Sequence, residues 1–329
     1  MTVTSTSFDG EPMPMPPNIN EIVGGLRALH VQSPLDDKAR TALDQALNNH
    51  ATGSRKLVLA ALGPSGAGKT KTVKRLLSEE RFAGKVLSVV ATSPASVKTL
   101  ARDALHALGH TIVRGQMDEQ AYLNQLKLGL GASGTMIFHI DEAQHLLTSN
   151  GEVTIARTLD TLKLLVQDPY KVVLILTGTD RVAEVFERDD QLHERTIYVE
   201  AKRLSIDANS VLTGKMLRNF CQRAGLEQGW VDADRLPQRI THAGRTFGLA
   251  VSLIIDAIEL ELRSGGKTLS PESFAKVYAR DRDVGAYLNP FVAEDFMDID
   301  PSRRTEATEE DACRPARKSR GRRKKGARR

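Results

Sequence analysis

The hydrophobic positions of the chain follow two patterns, and the change from one to the other falls near residue 205. Before that point, short runs of consecutive apolar residues alternate with segments in which apolar residues recur every three or four positions. The first kind is typical of strands buried on both faces, and the second is typical of amphipathic helices. The predicted strands that contain these runs are Leu57–Leu62, Val86–Ala91, Thr135–Glu142, Lys171–Thr179 and Arg195–Glu200. This alternation predicts an α/β fold with a parallel five-stranded sheet flanked by helices.

After residue 205 the spacing is helical throughout, which predicts a small α-helical lid domain over residues 205–290. Its helices are expected over Ala208–Ala224, Asp232–Thr241, Thr246–Leu262 and Pro271–Tyr278. Residues 19–204 are expected to form the α/β domain, with helices before its first strand. The ends, residues 1–18 and 291–329, are expected to be disordered, because they are rich in Ser, Thr and Pro or in charged residues.

One predicted strand-to-helix turn carries a complete phosphate-binding motif. The first strand runs directly into Gly63–Thr70, which has the pattern G-x4-G-K-T, and a helical segment follows. This is the context that a P-loop requires, because the N–H groups of the loop and the positive helix end face phosphate oxygens. The predicted nucleotide-binding residues are Gly63, Pro64, Ser65, Gly66, Ala67, Gly68, Lys69, Thr70 and Lys71. Lys69 is expected to reach the β- and γ-phosphates of ATP, and Thr70 to offer its hydroxyl to Mg²⁺.

Polar side chains end two further strands at the same predicted edge of the sheet, where ligands of parallel sheets bind. Asp141 and Glu142 end the third apolar run, and burying two adjacent carboxylates is costly unless a cation meets them. Asp141 is therefore expected to bind Mg²⁺ together with Thr70, and Glu142 to polarise the water that attacks the phosphate. Thr177 follows the fourth run, from where its hydroxyl could reach the γ-phosphate.

Three arginines are candidates for contacting the nucleotide from outside the P-loop. Arg195 precedes the fifth strand, where it could stabilise transition-state charge on the nucleotide of a neighbouring subunit. Arg188 is a competing candidate for that role. Arg245 opens a helix of the predicted lid domain and could close onto the nucleotide from that side.

The charge of the chain is concentrated at its C-terminal end. The net charge is +5, yet Arg314–Arg329 holds ten Lys or Arg and no acid, so residues 1–313 carry −5. Such a tail is typical of electrostatic contact with nucleic acid, although a solubilising end or contact with an acidic protein are alternatives. The candidate DNA-contacting residues are Lys98 and Arg102 on a predicted helix, with Arg320, Arg322, Arg323, Lys324 and Lys325 in the tail.

The remaining composition argues against a membrane protein and against a disulfide-stabilised one. No apolar run approaches the ~20 residues of a membrane-spanning helix, and the first residues lack the regions of a secretory signal. Cys221 and Cys313 are too few and too far apart for a disulfide framework or a zinc site. His139 and His145 flank the acids but cannot share one helix face as metal ligands, and we interpret both as structural. We therefore expect no membrane partner and a cytoplasmic location.

Four motifs of the chain, at their spacings, resemble those of AAA+ ATPases. They are Gly63–Thr70, Ile140–Leu146, Leu176–Thr179 and Arg195. The Asp-Glu-Ala-Gln-x-Leu sequence in the second motif and the helices before the P-loop narrow the resemblance to the TniB/TnsC-type transposition regulators, relatives of MuB and IstB. The resemblance covers about residues 20–280 and implies a P-loop AAA+ fold with an α-helical lid.

This resemblance also implies roles and partners. The P-loop and the acidic pair correspond to the Walker A and Walker B motifs, Thr177 to the first sensor, Arg195 to the arginine finger and Arg245 to the second sensor. The family implies an ATPase that self-associates into a ring or helical filament on duplex target DNA and is disassembled by ATP hydrolysis. It also implies a DDE transposase and a TniQ-like targeting protein as partners, in the bacterial cytosol or nucleoid.

Other functions share part of this motif set. A replication initiator or helicase loader would have every motif, but should carry an additional domain for which the chain has little room. A nucleotide-dependent switch that does not act on DNA would fit the core motifs but not the basic tail. A superfamily 2 helicase would need a second RecA-like domain, and the second acid, Glu142, disfavours a small-molecule kinase. The tail is not part of the family's motifs, which leaves open whether it meets DNA or the transposase.

Overall fold

The chain folds around a five-stranded parallel sheet, as its hydrophobic pattern predicts. The computed structural model describes residues 18–93, 95–110, 117–147, 151–167 and 171–302. The strands are β1 (Val58–Leu62), β2 (Val86–Val90), β3 (Ile137–Asp141), β4 (Val173–Gly178) and β5 (Thr196–Glu200). They lie in the order β2-β3-β4-β1-β5, and every pair is parallel. Strand β1, which leads into the P-loop, therefore lies inside the sheet between β4 and β5.

The register of the sheet brings the polar strand ends to one edge. Leu62 at the end of β1 is level with Gly178 of β4 and Glu200 of β5. Val90 at the end of β2 is level with Asp141 of β3. Because all strands run the same way, the P-loop, Asp141 and the end of β4 lie together at the carboxyl ends of the strands.

Helices cover both faces of this sheet. The helices up to residue 205 are α1 (Ile19–Ala28), α2 (Pro34–Thr52), α3 (Lys69–Leu77), α4 (Val97–Ala107), α5 (Glu119–Ala132), α6 (Gln144–Leu147), α7 (Glu152–Leu165), α8 (Arg181–Phe186) and α9 (Asp190–Glu194). Helices α2 and α3 share one apolar core with strand residues such as Leu59 and Ile175. Helices α4, α5 and α7 share another core with residues such as Ile140 and Leu174. Successive strand residues point to opposite faces, so both faces must be apolar.

The described residues divide into two compact units. One holds the sheet and comprises Leu29–Ala208 and Gly244–Val251. The other comprises residues up to Ala28, Asn209–Ala243 and the residues from Ser252 onward. Residues 244–251, which the sequence pattern assigns to the lid, therefore cluster with the α/β unit.

The second departure from the predicted boundaries is helix α1. The sequence pattern places it in the 19–204 domain, but it clusters with the helical unit. There Arg27 forms ion pairs with Asp256 at 3.3 Å and with Glu259 at 2.8 Å, and Arg263 donates to Asn20 at 3.1 Å. The amphipathic spacing identifies α1 as a helix but does not say which apolar surface it covers.

The part of the chain after residue 205 is helical, as predicted. Its helices are α10 (Ile206–Arg223), α11 (Leu236–Gly244), α12 (Phe247–Arg263) and α13 (Pro271–Arg282). A short parallel pair, β6 (Glu227–Gln228) and β7 (Thr268–Leu269), was not predicted, since two residues are too few to show a period. Among the described residues, no helix is both long and apolar enough to cross a membrane.

Residues 291–302 are packed, which corrects their assignment to a disordered tail. Phe296 is completely buried, and the guanidinium of Arg239 lies 4.6 Å from the centre of its ring. Arg239 also donates to the carbonyls of Pro290 and Ala293, at 2.6 and 2.7 Å, and His242 bonds the carbonyl of Ile299 at 2.8 Å. The composition-based prediction of disorder failed here because the many acidic residues of this segment outweigh its few buried apolar ones. The other expected disordered segments, residues 1–17 and 303–329, lie outside the described residues.

Candidate active site

The loop between β1 and α3 has the backbone form that its glycines predict. Gly63 has φ +145°, and a Cβ there would overlap the carbonyl oxygen of Ala201. Gly68, just before α3, has φ +90°, in the left-handed region that favours glycine. The N–H groups of Gly68, Lys69 and Thr70 donate to no other group within the described ranges, as is usual for the first turn of a helix. They are therefore free to bind phosphate oxygens.

A segment far away in sequence holds this loop in place. The carbonyl of Gly66 accepts hydrogen bonds from the hydroxyl of Thr246 at 3.0 Å and from the N–H of Gly248 at 2.9 Å. A side chain at residue 248 has no space, because its Cβ would overlap the same carbonyl oxygen. Sequence reasoning missed this contact. The available signal is the pair of glycines, Gly244 and Gly248, on either side of Arg245.

The ammonium group of Lys69 lies inside the P-loop. It donates to the carbonyls of Gly63 at 2.9 Å and Pro64 at 2.8 Å. Burial lowers the pKa of Lys69, and nearby carboxylates, Glu142 foremost, oppose that shift. A partly desolvated cation in a loop that also has free N–H groups is suited to binding a phosphate.

The carboxylate of Asp141 is the centre of the polar contacts at the strand ends. Asp141 as a residue is 4% exposed, and one carboxylate oxygen accepts from the hydroxyls of Thr177 and, at 2.9 Å, Thr70. The same oxygen accepts the N–H of Glu142 at 3.1 Å, and Lys74 lies 3.6 Å from the other oxygen. Burial opposes ionisation, but the hydrogen bonds from Thr177 and Thr70 hold the pKa of Asp141 below its ordinary value. The structure thus brings three of the predicted residues into direct contact with a charged carboxylate.

Glu142 has an unusual backbone and a side-chain partner that fixes its direction. Its φ of +55° is uncommon for a residue with a side chain and costs about 1–3 kcal/mol. The amide of Gln144 donates to the Glu142 carboxylate and accepts the N–H of Thr179 at 3.2 Å. Gln144, which the sequence analysis names only as part of the Asp-Glu-Ala-Gln-x-Leu motif, therefore connects Glu142 to the end of β4. The buried hydroxyl of Thr179 has no hydrogen-bond partner among the residues that the structure describes.

His139 lies behind Asp141 and is completely buried. Its Nδ1 is 2.8 Å from the hydroxyl of Ser88, and its Nε2 is 3.2 Å from the hydroxyl of Thr177. Burial lowers the pKa of His139 to about 4, so the ring is neutral at pH 7. The interpretation of His139 as purely structural did not anticipate its bond to Thr177, because a sequence does not show which neighbours a side chain meets across strands.

The structure does not bring Arg195 to the P-loop of its own chain. The carbonyl of Arg195 accepts the N–H of Val58 at 3.1 Å, which places Arg195 at the amino end of β1 and β5. The P-loop follows the opposite end of β1, about 16 Å away for a strand of this length. Arg188, the competing candidate, is exposed after α8.

Two further predicted nucleotide-binding residues have other contacts. Arg245 lies between α11 and α12 with φ +60°, and its carbonyl accepts the N–H of Leu204 at 2.8 Å. It directly precedes Thr246 and is therefore adjacent in sequence to a residue that holds the P-loop. The ammonium of Lys71 donates to the carbonyl of Leu29 at 3.1 Å.

The candidate DNA-contacting residues on α4 contact side chains of the chain itself. The ammonium of Lys98 lies 5.6 Å from the centre of the Tyr122 ring, and Arg102 forms an ion pair with Asp103 at 2.7 Å. Both partners are ordinary ones for a surface helix. Arg320, Arg322, Arg323, Lys324 and Lys325 lie outside the described residues.

The residues present fit ATP and Mg²⁺. The loop supplies free N–H groups and an ammonium for phosphates, and Thr70 and Asp141 supply hard oxygen donors in contact with each other. Within the described ranges there is no cluster of three or more His, Cys, Asp or Glu that could hold a metal ion. Mg²⁺ is usually held by one or two carboxylates together with the phosphates of its substrate.

Comparison with known proteins identifies the fold. Residues 51–186 match the family model described as AAA domain. No curated protein matches the chain by sequence. Cdc6p from Pyrobaculum aerophilum has 17% identity and a TM-score of 0.55, covering 79% of this chain and 70% of that one. The Aeropyrum pernix ORC1 protein in complex with DNA has 16% identity and a TM-score of 0.57, covering 79% and 69%.

A third solved structure, the Aeropyrum pernix ORC2 protein in ADPNP-ADP complexes, has 17% identity and a TM-score of 0.50, covering 77% of this chain and 71% of that one. At these identities the likeness concerns the fold. The chain therefore has the P-loop AAA+ fold, with a five-stranded parallel sheet, flanking helices and a helical C-terminal part, and its residues 51–186 match an AAA domain.

Proposed function

We propose that the chain hydrolyses ATP at the P-loop. The observation that carries the proposal is the contact between Thr70 at the start of α3 and Asp141 at the end of β3, with Glu142 next to it. A hydroxyl, a charged carboxylate and a second acid beside a P-loop lysine form the set that phosphoryl transfer to water requires.

Each residue has a distinct part in this reaction. Lys69 and the first N–H groups of α3 bind and orient the phosphates. Thr70 and Asp141 would hold Mg²⁺, which neutralises charge on the phosphate oxygens when bound. Glu142, directed by Gln144, accepts a proton from the attacking water, and Thr177 contributes a hydroxyl next to Asp141.

The test is the Glu142→Gln variant. We expect it to bind ATP with Mg²⁺ as the wild type does and to hydrolyse it at least about 100-fold more slowly, because a general base is removed while the phosphate contacts remain. Turnover is measured by phosphate release and binding with a fluorescent ATP analogue. Glu184→Gln, at an exposed position of α8, is the matched control and should keep wild-type turnover. Turnover of Glu142→Gln within twofold of the wild type would remove Glu142 from this role.

We further propose that ATP binding controls assembly on DNA in transposition. The support is the motif resemblance to TniB/TnsC-type regulators and the basic Arg314–Arg329 tail. The ORC1 protein of the same fold has been solved in complex with DNA. The chain would form a ring or helical filament on duplex target DNA, recruit a DDE transposase, with a TniQ-like protein as a further partner, and be released by hydrolysis. Its location would be the bacterial cytosol or nucleoid.

A replication initiator or helicase loader is the second candidate, favoured by the fold likeness to Cdc6p and ORC1. Electron microscopy separates the two. The transposition role predicts filaments or rings of the Glu142→Gln variant on duplex DNA with ATP, and none with ADP. Absence of such assemblies together with binding of a replicative helicase would favour the loader and contradict the transposition role.

A further inference from the structure

A line of hydrogen-bonded side chains crosses three strands and ends at Asp141. Ser88 of β2 and His139 of β3 are register partners, and Asp141 lies two residues after His139 on the same face of β3. Thr177 of β4 lies between His139 and Asp141 and contacts both. Ser88 is exposed on the edge strand, whereas His139 and Thr177 are buried.

The direction of each hydrogen bond follows from the carboxylate at the end of the line. Asp141 is charged and can only accept, so Thr177 must donate its single hydroxyl proton to it. The oxygen of Thr177 is then an acceptor for His139, whose Nε2 must carry the proton. A neutral imidazole with a proton on Nε2 has a bare Nδ1, which accepts the hydroxyl proton of Ser88. Every proton in the line therefore points toward Asp141.

We propose that His139, in its Nε2–H tautomer, is a positioning residue for the hydrolysis site. By donating to the oxygen of Thr177, it holds that hydroxyl in the orientation that donates to Asp141. The Asp141 carboxylate is thereby kept in one orientation for Mg²⁺, although His139 itself touches neither metal nor phosphate. Ser88 selects the tautomer from the edge of the sheet. This inference rests on the proposed ATP hydrolysis.

Removal of the imidazole would change the site in a specific way. With an apolar residue at 139, the oxygen of Thr177 loses a donor in a buried environment, and its hydroxyl is no longer confined to one rotamer. Asp141 then loses part of the hydrogen bonding that orients it. The groups that bind the nucleotide, Lys69 and the first turn of α3, make no bond to His139, so nucleotide affinity should change little.

The experiment measures kcat, KM for ATP and the Mg²⁺ concentration for half-maximal turnover, with and without duplex DNA. For His139→Leu we expect a roughly tenfold lower kcat, a KM within about twofold, and a several-fold higher Mg²⁺ requirement, since partners that orient a metal ligand typically contribute 10–100-fold. His139→Gln, which retains a donor, should recover most of the loss. Ser88→Ala should cause a smaller change in the same direction. His106→Leu, at an exposed position of α4, is the control.

The outcomes separate this inference from the proposed function. A wild-type chain that does not hydrolyse ATP under any of these conditions contradicts the hydrolysis itself and the inference with it. A wild type that hydrolyses ATP while His139→Leu is folded and keeps its kcat and Mg²⁺ requirement overturns the inference alone. If His139→Leu does not fold, Ser88→Ala decides, because Ser88 lies on an exposed strand edge: unchanged kcat and Mg²⁺ requirement in that variant overturn the inference.

Discussion

Asp36 is a single buried carboxylate that joins the start of α2 to the P-loop helix α3. It accepts the N–H and hydroxyl of Ser33, at 2.8 and 2.7 Å, and hydrogen bonds from Thr72 and Arg75, both at 3.3 Å. Burial opposes ionisation, but the Ser33 bonds and the nearby charges of His30 and Arg75 hold the pKa of Asp36 below its ordinary value. The charged form of Asp36 therefore stabilises the folded state.

We predict that Asp36→Asn lowers the free energy of unfolding by about 2 kcal/mol at pH 7, because charge-assisted hydrogen bonds are lost. A carboxyl whose folded pKa is depressed contributes its full stability above its unfolded pKa of ~3.9, and loses it as the pH falls through the folded pKa. The difference in the free energy of unfolding between the wild type and the variant should therefore shrink below about pH 4. Urea unfolding at several pH values measures it.

Asp44→Asn is the matched control for this experiment. Asp44 is about half exposed and pairs with Arg81 at 3.0 Å, so its loss should cost under about 1 kcal/mol. A difference for Asp36→Asn that stays constant or grows below pH 4 would contradict the role of its charge.

At the scale of residues, the sequence predicts the members of the site that form contiguous motifs. The P-loop and the acidic pair are recognisable because spacing and a preceding apolar run suffice to identify them. The contacts of His139, Gln144 and Thr246 could not be predicted, because they depend on which side chains meet across strands or from distant segments. The left-handed backbone of Glu142 has no sequence signal either, since the residue is not glycine.

Among the elements, the first turn of α12 has a role that its amphipathic pattern does not reveal. Gly248 lies in this helix and donates its N–H to the carbonyl of Gly66 in the P-loop. Helix propensity alone would favour Ala over Gly there by up to about 1 kcal/mol. The close approach to Gly66 predicts that Ala at this position is instead unfavourable, because an added Cβ would overlap that carbonyl.

We predict that Gly248→Ala weakens ATP binding roughly tenfold, which corresponds to about 1.4 kcal/mol, by displacing the P-loop. Isothermal titration with ATP and Mg²⁺ measures the dissociation constant. Gly25→Ala in α1 is the matched control, because a Cβ at Gly25 meets no atom within 4 Å. An unchanged dissociation constant with a raised melting temperature would show that propensity outweighs the contact.

The strands and long helices were predictable to within a few residues, because each spans enough positions to show its period. Strand β1 begins at Val58 rather than Leu57, and α13 continues to Arg282 rather than Tyr278. The two-residue strands β6 and β7 show no period, and the sequence offers no basis for pairing them.

Arg195 lies at the end of β1 opposite the P-loop, and we predict that it acts on the nucleotide of a second copy of the chain. We predict that Arg195→Ala and Glu142→Gln are each nearly inactive alone, but that an equimolar mixture regains activity at interfaces combining an intact Glu142 with an intact Arg195. Random mixing gives about a quarter of wild-type turnover. The measurement is phosphate release at constant total protein.

Arg188→Ala, mixed in the same way, is the comparison that decides between the two arginines. Full activity of Arg188→Ala alone together with recovery in the Arg195 mixture would assign the role to Arg195. An Arg195 mixture that stays as inactive as its components would contradict a site shared between copies.

The division into units was only partly predictable from the sequence. The change of hydrophobic period near residue 205 falls between the end of β5 at Glu200 and the start of α10 at Ile206. It cannot show that α1 packs with that part, nor that Phe296 anchors residues 291–302, because both depend on packing partners distant in sequence.

Strand β5 connects Arg195 to the P-loop of its own chain. Arg195 precedes its amino end, and after its carboxyl end the N–H of Ala201 donates to Leu62 at 2.7 Å, while the Ala201 carbonyl leaves Gly63 no space for a side chain. A strand that is hydrogen-bonded to its neighbours in a sheet is stiff along its length, so a displacement at one end can be transmitted to the other end. In an assembly with shared sites, a copy that senses its neighbour's nucleotide through Arg195 would pass that signal along β5 to its own P-loop. The five residues of β5 would then couple nucleotide binding at one site to nucleotide binding at the next.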